Sequence, residues 1–380
     1  MLTRTFLTGT LTCALALLPA GAAQAVADGS QTAQMFQFHR GQDVFFMLML
    51  VAFLMLFIRR YEWGVALATL LVLAVSWPLY LIGHTEVFGY ELNIEAAILA
   101  CFCSITLVIA IGVFLGHVST IHFLAAAVLF VPAYMFNEWF IFTYLDGVLD
   151  AGGSILVHMF AAYWGWGVIL SLRNTRVSDE PMKISVHSVS FVWLASMLLF
   201  VLWPSFVTAF LPPEEVIPGL INCYLALTGS TLVTYLLLHI LKRTIDPLVY
   251  TYAILAGGVA IGATVDLATP LQAWIIGLLG GAVSTLSFIY LNDWLTRKTG
   301  VLDTMGVHNL HGTPGIFGGL AAVVVAGAPA SQFAAIGGTF LIALVTGLVT
   351  GLVLRLFKRP KLMLDDAESF PVSEMRAEET

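Results

Sequence analysis

The strongest constraint on this chain of 380 residues is a series of apolar segments, each near the ~20 residues that an α-helix needs to cross the hydrocarbon core of a bilayer. They cover 44–58, 62–83, 94–116, 121–142, 152–172, 184–210, 219–241, 249–266, 271–291, 304–327 and 333–357. Lipid offers backbone N–H and C=O groups no partner, so a segment of this length must satisfy them internally as a helix. Composition agrees: 59% of residues are hydrophobic, 10% are charged and the mean hydropathy is +0.93, far from a soluble chain with a polar surface. The expected fold is an all-α polytopic membrane protein of eleven transmembrane helices.

The few charges are sorted by side. Every Lys and Arg from Arg59 to Lys361 falls at or after the end of an odd-numbered segment, among them Arg173, Lys242, Arg297 and Arg355. The opposite loops carry acids instead, as at Glu214 and Glu215. The positive-inside rule then puts the N-terminus outside and the C-terminus in the cytoplasm. Residues 1–25 agree, because Met-Leu-Thr-Arg, an apolar run and Ala23-Gln24-Ala25 form the pattern of a cleaved signal peptide. An uncleaved first helix is the competing reading. Residues 26–43 then form a polar lead-in, 26–359 the transmembrane domain, and 360–380 a short disordered acidic tail in the cytoplasm. The net charge of −7 and the lack of a basic, aromatic-interleaved patch give no reason to expect nucleic acid. Cys13, Cys101, Cys103 and Cys223 lie in apolar stretches without zinc or disulfide spacing and read as small core residues. Small residues four apart, as at Gly277 and Gly281, imply close helix packing.

Against this background three histidines stand out. Asp150-Ala-Gly-Gly-Ser opens the fifth segment and leads to His158; Asp303-Thr-Met-Gly opens the tenth and leads to His308 and His311. Titratable groups inside hydrocarbon are costly and point to function. Five segments separate the two motifs, so the copies cross the membrane in opposite directions: two inverted five-helix repeats plus a final helix, with the shared site near the midplane. Asp150 and Asp303 precede helix starts and read as caps that accept backbone N–H groups.

The segments Asp-Ala-Gly-Gly-Ser-Ile-Leu-Val-His at 150–158 and Gly-Val-His-Asn-Leu-His-Gly-Thr-Pro-Gly at 306–315 resemble the signature motifs of the ammonium transporter and Rhesus protein family, in its Rhesus branch. Phe-Asn-Glu-Trp at 136–139, Trp-Pro-Ser-Phe at 203–206 and Ala-Gly-Gly-Val-Ala-Ile-Gly at 256–262 support it, and the resemblance runs from about 94 to 355. It implies a homotrimer, each subunit with its own narrow pore, in the cell (inner) membrane. By motif position it implies His158 and His308 as the pore histidines, His311 as an additional Rhesus-type histidine one turn on, and Phe102 and Phe206 as an outer aromatic gate. Two positions depart from the pattern: Val207 stands where the Rhesus pattern commonly has Asn, and Trp139 need not serve as a cation-holding tryptophan.

The implied activity is conduction of NH3, after NH4⁺ loses its proton at the outer mouth, with Glu138 and Asp146 as acids that concentrate the cation there. An apolar lumen stops ions, since desolvating a bare charge costs on the order of tens of kcal/mol, whereas neutral NH3 loses only a few hydrogen bonds that two imidazoles can replace. Expected partners are ammonia or ammonium, membrane lipids and two further copies of the chain, with no cofactor, no metal, no enzymatic activity and no evident cytoplasmic regulator. The rivals are passage of CO2 or methylamine through the same architecture, a membrane redox protein whose histidines ligate haem, and an ammonium sensor acting through the tail.

Overall fold

The computed structural model describes residues 29–56, 61–174, 184–358, 360, 364–368 and 370; the leader expected at 1–25 lies outside them. Among the described residues thirteen α-helices follow one another: α1 (Gly29–Leu54), α2 (Glu62–Ile82), α3 (Ile94–Ile111), α4 (Thr120–Trp139), α5 (Phe160–Leu172), α6 (Val186–Val207), α7 (Pro213–Lys242), α8 (Pro247–Ala253), α9 (Ala256–Ile261), α10 (Pro270–Leu286), α11 (Asn292–Thr299), α12 (Thr313–Ala326) and α13 (Ser331–Leu354). Helices α8 and α9 share one pass, and α10 continues into α11 through a π-turn at Ser287–Leu291. Ten passes among the described residues are long and apolar enough to span a bilayer, and α1 packs beside them on α3 and α6. The protein is therefore a multi-span helical membrane protein. The end of the bundle bearing Arg173, Arg243, Arg297 and Arg355 is the basic face, and the opposite end, bearing Glu91, Asp146 and Glu214, is the acidic face.

Local chemistry sets the helix boundaries. The Asn93 side chain accepts the Ala96 N–H at the start of α3, and Ser185 and Thr269 form reciprocal capping boxes with Ser188 and Gln272. Pro213, Pro247 and Pro270 occupy first-turn positions, where a missing N–H costs nothing. Close packing follows from missing side chains. A Cβ on Gly277 would lie 2.0 Å from the Ala226 carbonyl oxygen, and one on Gly347 would lie 2.2 Å from that of Trp164, so α7 meets α10 and α13 meets α5 nearly backbone to backbone.

Two polar stretches at the ends of the chain are ordered by partners distant in sequence. The polar lead-in at 29–43 is helical, because its polar side chains find partners on the end of α6: Arg40 donates to the Thr208 carbonyl (2.8 Å), Gln37 to the Ala209 carbonyl (2.9 Å), and Ser205 to the Asp43 carboxylate (2.7 Å). Part of the tail is also ordered. The Asp366 carboxylate accepts the N–H groups of Glu62, Trp63 and Gly64 at 2.8–2.9 Å, capping α2 from a distance in sequence, while Phe370 packs edge-on against Trp63 and the Leu364 N–H donates to the Gly116 carbonyl. Asp366→Ala leaves those three N–H groups without their cap. It is expected to destabilise the protein by about 0.5–2 kcal/mol, read as a lower thermal midpoint and faster proteolysis of the tail, with Asp366→Asn falling between the two.

Candidate functional site

The site grows from two segments with the same local build. Asp150 precedes Gly153 (φ +75°) and a π-turn at Ser154–Met159; Asp303 precedes Gly306 (φ +66°) and a π-turn at His308–Gly312. Both glycines lie three residues after the aspartate, in the left-handed region that glycine enters without steric cost. Each carboxylate is buried and serves the turn that follows. Asp150 accepts the N–H groups of Ile155 and Leu156, the latter at 2.7 Å; Asp303 accepts those of Val307 (3.0 Å) and His308 (2.8 Å).

Each segment is then stitched to the opposite repeat. The N–H two residues after each aspartate donates to a glycine carbonyl at the end of a distant helix: Gly152 to Gly262 at 2.7 Å, and Met305 to Gly112 at 3.2 Å. Gly112 and Gly262 each open a short 3-10 turn, one after α3 and the other after α9. Space is made for this contact by the absence of side chains, since a Cβ on Gly152 would lie 2.8 Å from the Cα of Gly262. The inverted repeat is thus visible as matched backbone hydrogen bonds.

The two motif segments bring His158 and His311 together. Their Nδ1 atoms are 3.1 Å apart, with ring centroids at 5.1 Å and planes inclined by 22°. The contact expected between His158 and His308 is not made. His308 lies one turn nearer the basic face, edge-on to Tyr163 and Trp166 at centroid distances of 5.6 and 6.1 Å. Register explains the exchange. His158 is the eighth residue after Asp150 and His311 the eighth after Asp303, and in each segment an aspartate-capped π-turn ends one residue beyond that histidine, so the two rings reach matching depths. His308 is only the fifth, and its own N–H is held by the cap. That equal spacing was the signal in the sequence.

The chemistry of the pair follows from the short Nδ1–Nδ1 contact. One ring donates its Nδ1–H and the other accepts, so two neutral imidazoles share one proton. The donor ring then has a bare Nε2 and the acceptor ring an Nε2–H, and the pair presents one acceptor and one donor outward. The Nε2 of His158 is buried without a protein partner, an unmet capacity that a small polar molecule can fill. A haem iron held by both rings would lie between them in a straight N–Fe–N line, with the nitrogens about 4 Å apart at metal–nitrogen distances near 2.0–2.1 Å, so the contact at 3.1 Å does not fit the haem reading.

Toward the acidic face the path is aromatic. His158 lies against Trp203 (5.6 Å) and Phe206 (5.9 Å), and Phe206 stacks on Phe102 at 4.2 Å with 12° between planes. Phe210 closes on Phe102 edge-on at 5.0 Å. Toward the basic face, a cavity of about 30 Å³ lies between His311 and Tyr252 and is otherwise lined by apolar side chains and Gly112. Among the acids, Glu138 is half-buried on α4 and accepts the Tyr80 hydroxyl at 2.7 Å, while Asp146 is exposed in the loop after α4. Sequence reasoning gave no role to His117, Tyr252 or Tyr80. His117, between α3 and α4, is fully buried with neither ring nitrogen paired, and burial pushes its imidazole down to about 4, so it is neutral at ordinary pH.

A membrane bundle with inverted repeats, bearing a paired, uncharged polar centre between an aromatic closure and an apolar cavity, has the architecture of a channel or transporter. A sequence model of the Ammonium Transporter Family matches residues 6–368, and the chain belongs to that family. It is similar to the Ammonium transporter Rh type A of Mus musculus, 33% identical over 356 residues that cover 88% of this chain and 81% of that protein. The Ammonium transporter Rh type B of Bos taurus is 36% identical over 309 residues, 77% of this chain and 67% of that protein. Among solved structures it resembles Nitrosomonas europaea Rh50, described with a mechanism of conduction by the Rhesus protein family of channels, at 35% identity and a TM-score of 0.87, covering 92% of this chain and 96% of that one. A sensor Amt protein shares the fold at a TM-score of 0.72 and 17% identity.

Proposed function

We propose that this chain is a Rhesus-type ammonia channel, in which NH4⁺ gives up its proton at the acidic face and NH3 passes the Phe102–Phe206 gate to the His158–His311 pair. The observation that carries this reading is the pair itself: two buried rings sharing one proton inside apolar walls. Such a site cannot replace the hydration shell of a cation, but it offers NH3 both a donor and an acceptor. His308, one turn before His311 on the same segment, is the second stop. Glu138 enriches cations at the mouth, held in place by Tyr80. In this reading the basic face is cytoplasmic, by the distribution of Lys and Arg, and the protein sits in the cell membrane as a homotrimer after removal of residues 1–25.

The test is ammonia uptake by proteoliposomes, followed as internal alkalinisation. The purified protein is expected to exceed empty liposomes by about tenfold or more, the factor that a barrier lowered by one or two hydrogen bonds supplies. Uptake equal to that of empty liposomes refutes the function.

A further inference from the structure

The outer aromatic closure has an inverted counterpart on the basic face. Phe102 lies ten residues before Gly112, whose carbonyl accepts the Met305 N–H; Tyr252 lies ten residues before Gly262, whose carbonyl accepts the Gly152 N–H. The matched hydrogen bonds therefore place Phe102 and Tyr252 at equivalent points of the two repeats, one above His158 and the other below His311.

Their partners correspond as well. Phe102 closes against Phe206 at the end of α6, the first helix of the second repeat. Tyr252 closes against the end of α1, the first helix of the first repeat, where its hydroxyl donates to the Leu54 carbonyl at 2.8 Å. Behind it, Phe288 stacks at 6.1 Å with planes 16° apart. Tyr252 is 5% exposed, about as deeply covered as Phe102 at 3%. Between Tyr252 and His311 lies the cavity of about 30 Å³, to which Leu54, Met55 and Leu310 contribute walls. That is room for one molecule the size of water or ammonia.

We infer that Tyr252 is an inner gate: its ring closes the chamber below His311, and its hydrogen bond to the α1 terminus latches the closed position. The inference rests on the proposed conduction path for its purpose but not for its test. The plain alternative is that the phenol only satisfies an orphan carbonyl at a helix end. The two differ in what loss of the hydroxyl does to access. A latch holds a two-state equilibrium, so removing it raises the open fraction; a mere cap leaves the chamber shut.

Leu310→Cys places a thiol on the chamber wall, and its rate of modification by 2-aminoethyl methanethiosulfonate in the purified full-length protein can be followed by mass spectrometry. The parent protein, whose described native cysteines are buried, supplies the blank. Added to Leu310→Cys, Tyr252→Phe is expected to raise the rate by about threefold to tenfold, the shift that loss of one hydrogen bond produces. Tyr252→Ala, which also removes the ring, is expected to raise it further. Rates no faster than in Leu310→Cys alone overturn the gate, and if Tyr252→Ala does not fold, Tyr252→Phe decides. Because labelling is measured without ammonia, a failed gate and a failed ammonia channel are told apart: the first leaves uptake above that of empty liposomes, and the second leaves the labelling result intact.

Discussion

Ammonia uptake falls in His311→Ala by about tenfold or more, and in His308→Ala by much less. The first substitution removes one half of the Nδ1–Nδ1 pair, so the buried Nδ1 of His158 loses its hydrogen bond to His311, at a cost of about 1–3 kcal/mol. NH3 then meets a single imidazole with no fixed tautomer in place of a donor and an acceptor held in register. His158→Ala is expected to match His311→Ala, and the double variant should cost little more than either single one, because the two rings act as one unit. His308 contacts Tyr163 and Trp166 outside the pair, and its loss leaves the shared proton in place. Uptake in proteoliposomes with the wild type and all four variants at equal incorporation decides the ranking; a larger effect at His308 than at His311 refutes the assignment.

The second large effect is expected at the aspartates. Asp150→Ala and Asp303→Ala each leave two buried N–H groups of a π-turn unpaired, and a hydrogen bond to a charged group contributes about 1.5–3 kcal/mol. Both turns set the depth of a histidine, so the loss is structural before it is functional. The expected result is little folded protein after extraction, seen as a collapsed monodisperse peak in size-exclusion chromatography, with residual material showing uptake near that of empty liposomes. Asp150→Asn and Asp303→Asn keep an acceptor oxygen and are expected to recover part of the folded yield. An alanine variant that folds with wild-type yield and conducts normally would remove the aspartates from the account.

The contrast between His308 and His311 shows where sequence reasoning stopped. Apolar length and the side-sorted Lys and Arg locate ten of the eleven expected segments, most to within a few residues, because bilayer thickness and backbone satisfaction act on each segment alone. The eighth expected segment, 249–266, corresponds to Pro247–Thr264, and the sixth, 184–210, to Val186–Val207. The first half of α1 and the tail were legible only as polar stretches, because their order depends on partners far away in sequence: Thr208 and Ala209 for α1, and the N-terminus of α2 for Asp366. Likewise, nothing local marks Tyr80 as the partner of Glu138, or His117 as buried.

By itself the sequence determined that this chain crosses a membrane many times, that its fifth and tenth segments carry matching acid, glycine and histidine motifs, and that those motifs meet from opposite directions. Each of these is a property of one segment or of a spacing within it. Only the tertiary structure decided that His158 meets His311 and not His308, that the Phe102 and Phe206 rings stack, and that the Tyr252 hydroxyl reaches the end of α1. Those outcomes depend on how two π-turns wind and on which carbonyl each turn meets across the bundle. Such quantities are fixed by contacts between repeats about 150 residues apart, where a shift of one turn moves a ring by about 5.4 Å and exchanges one histidine for another.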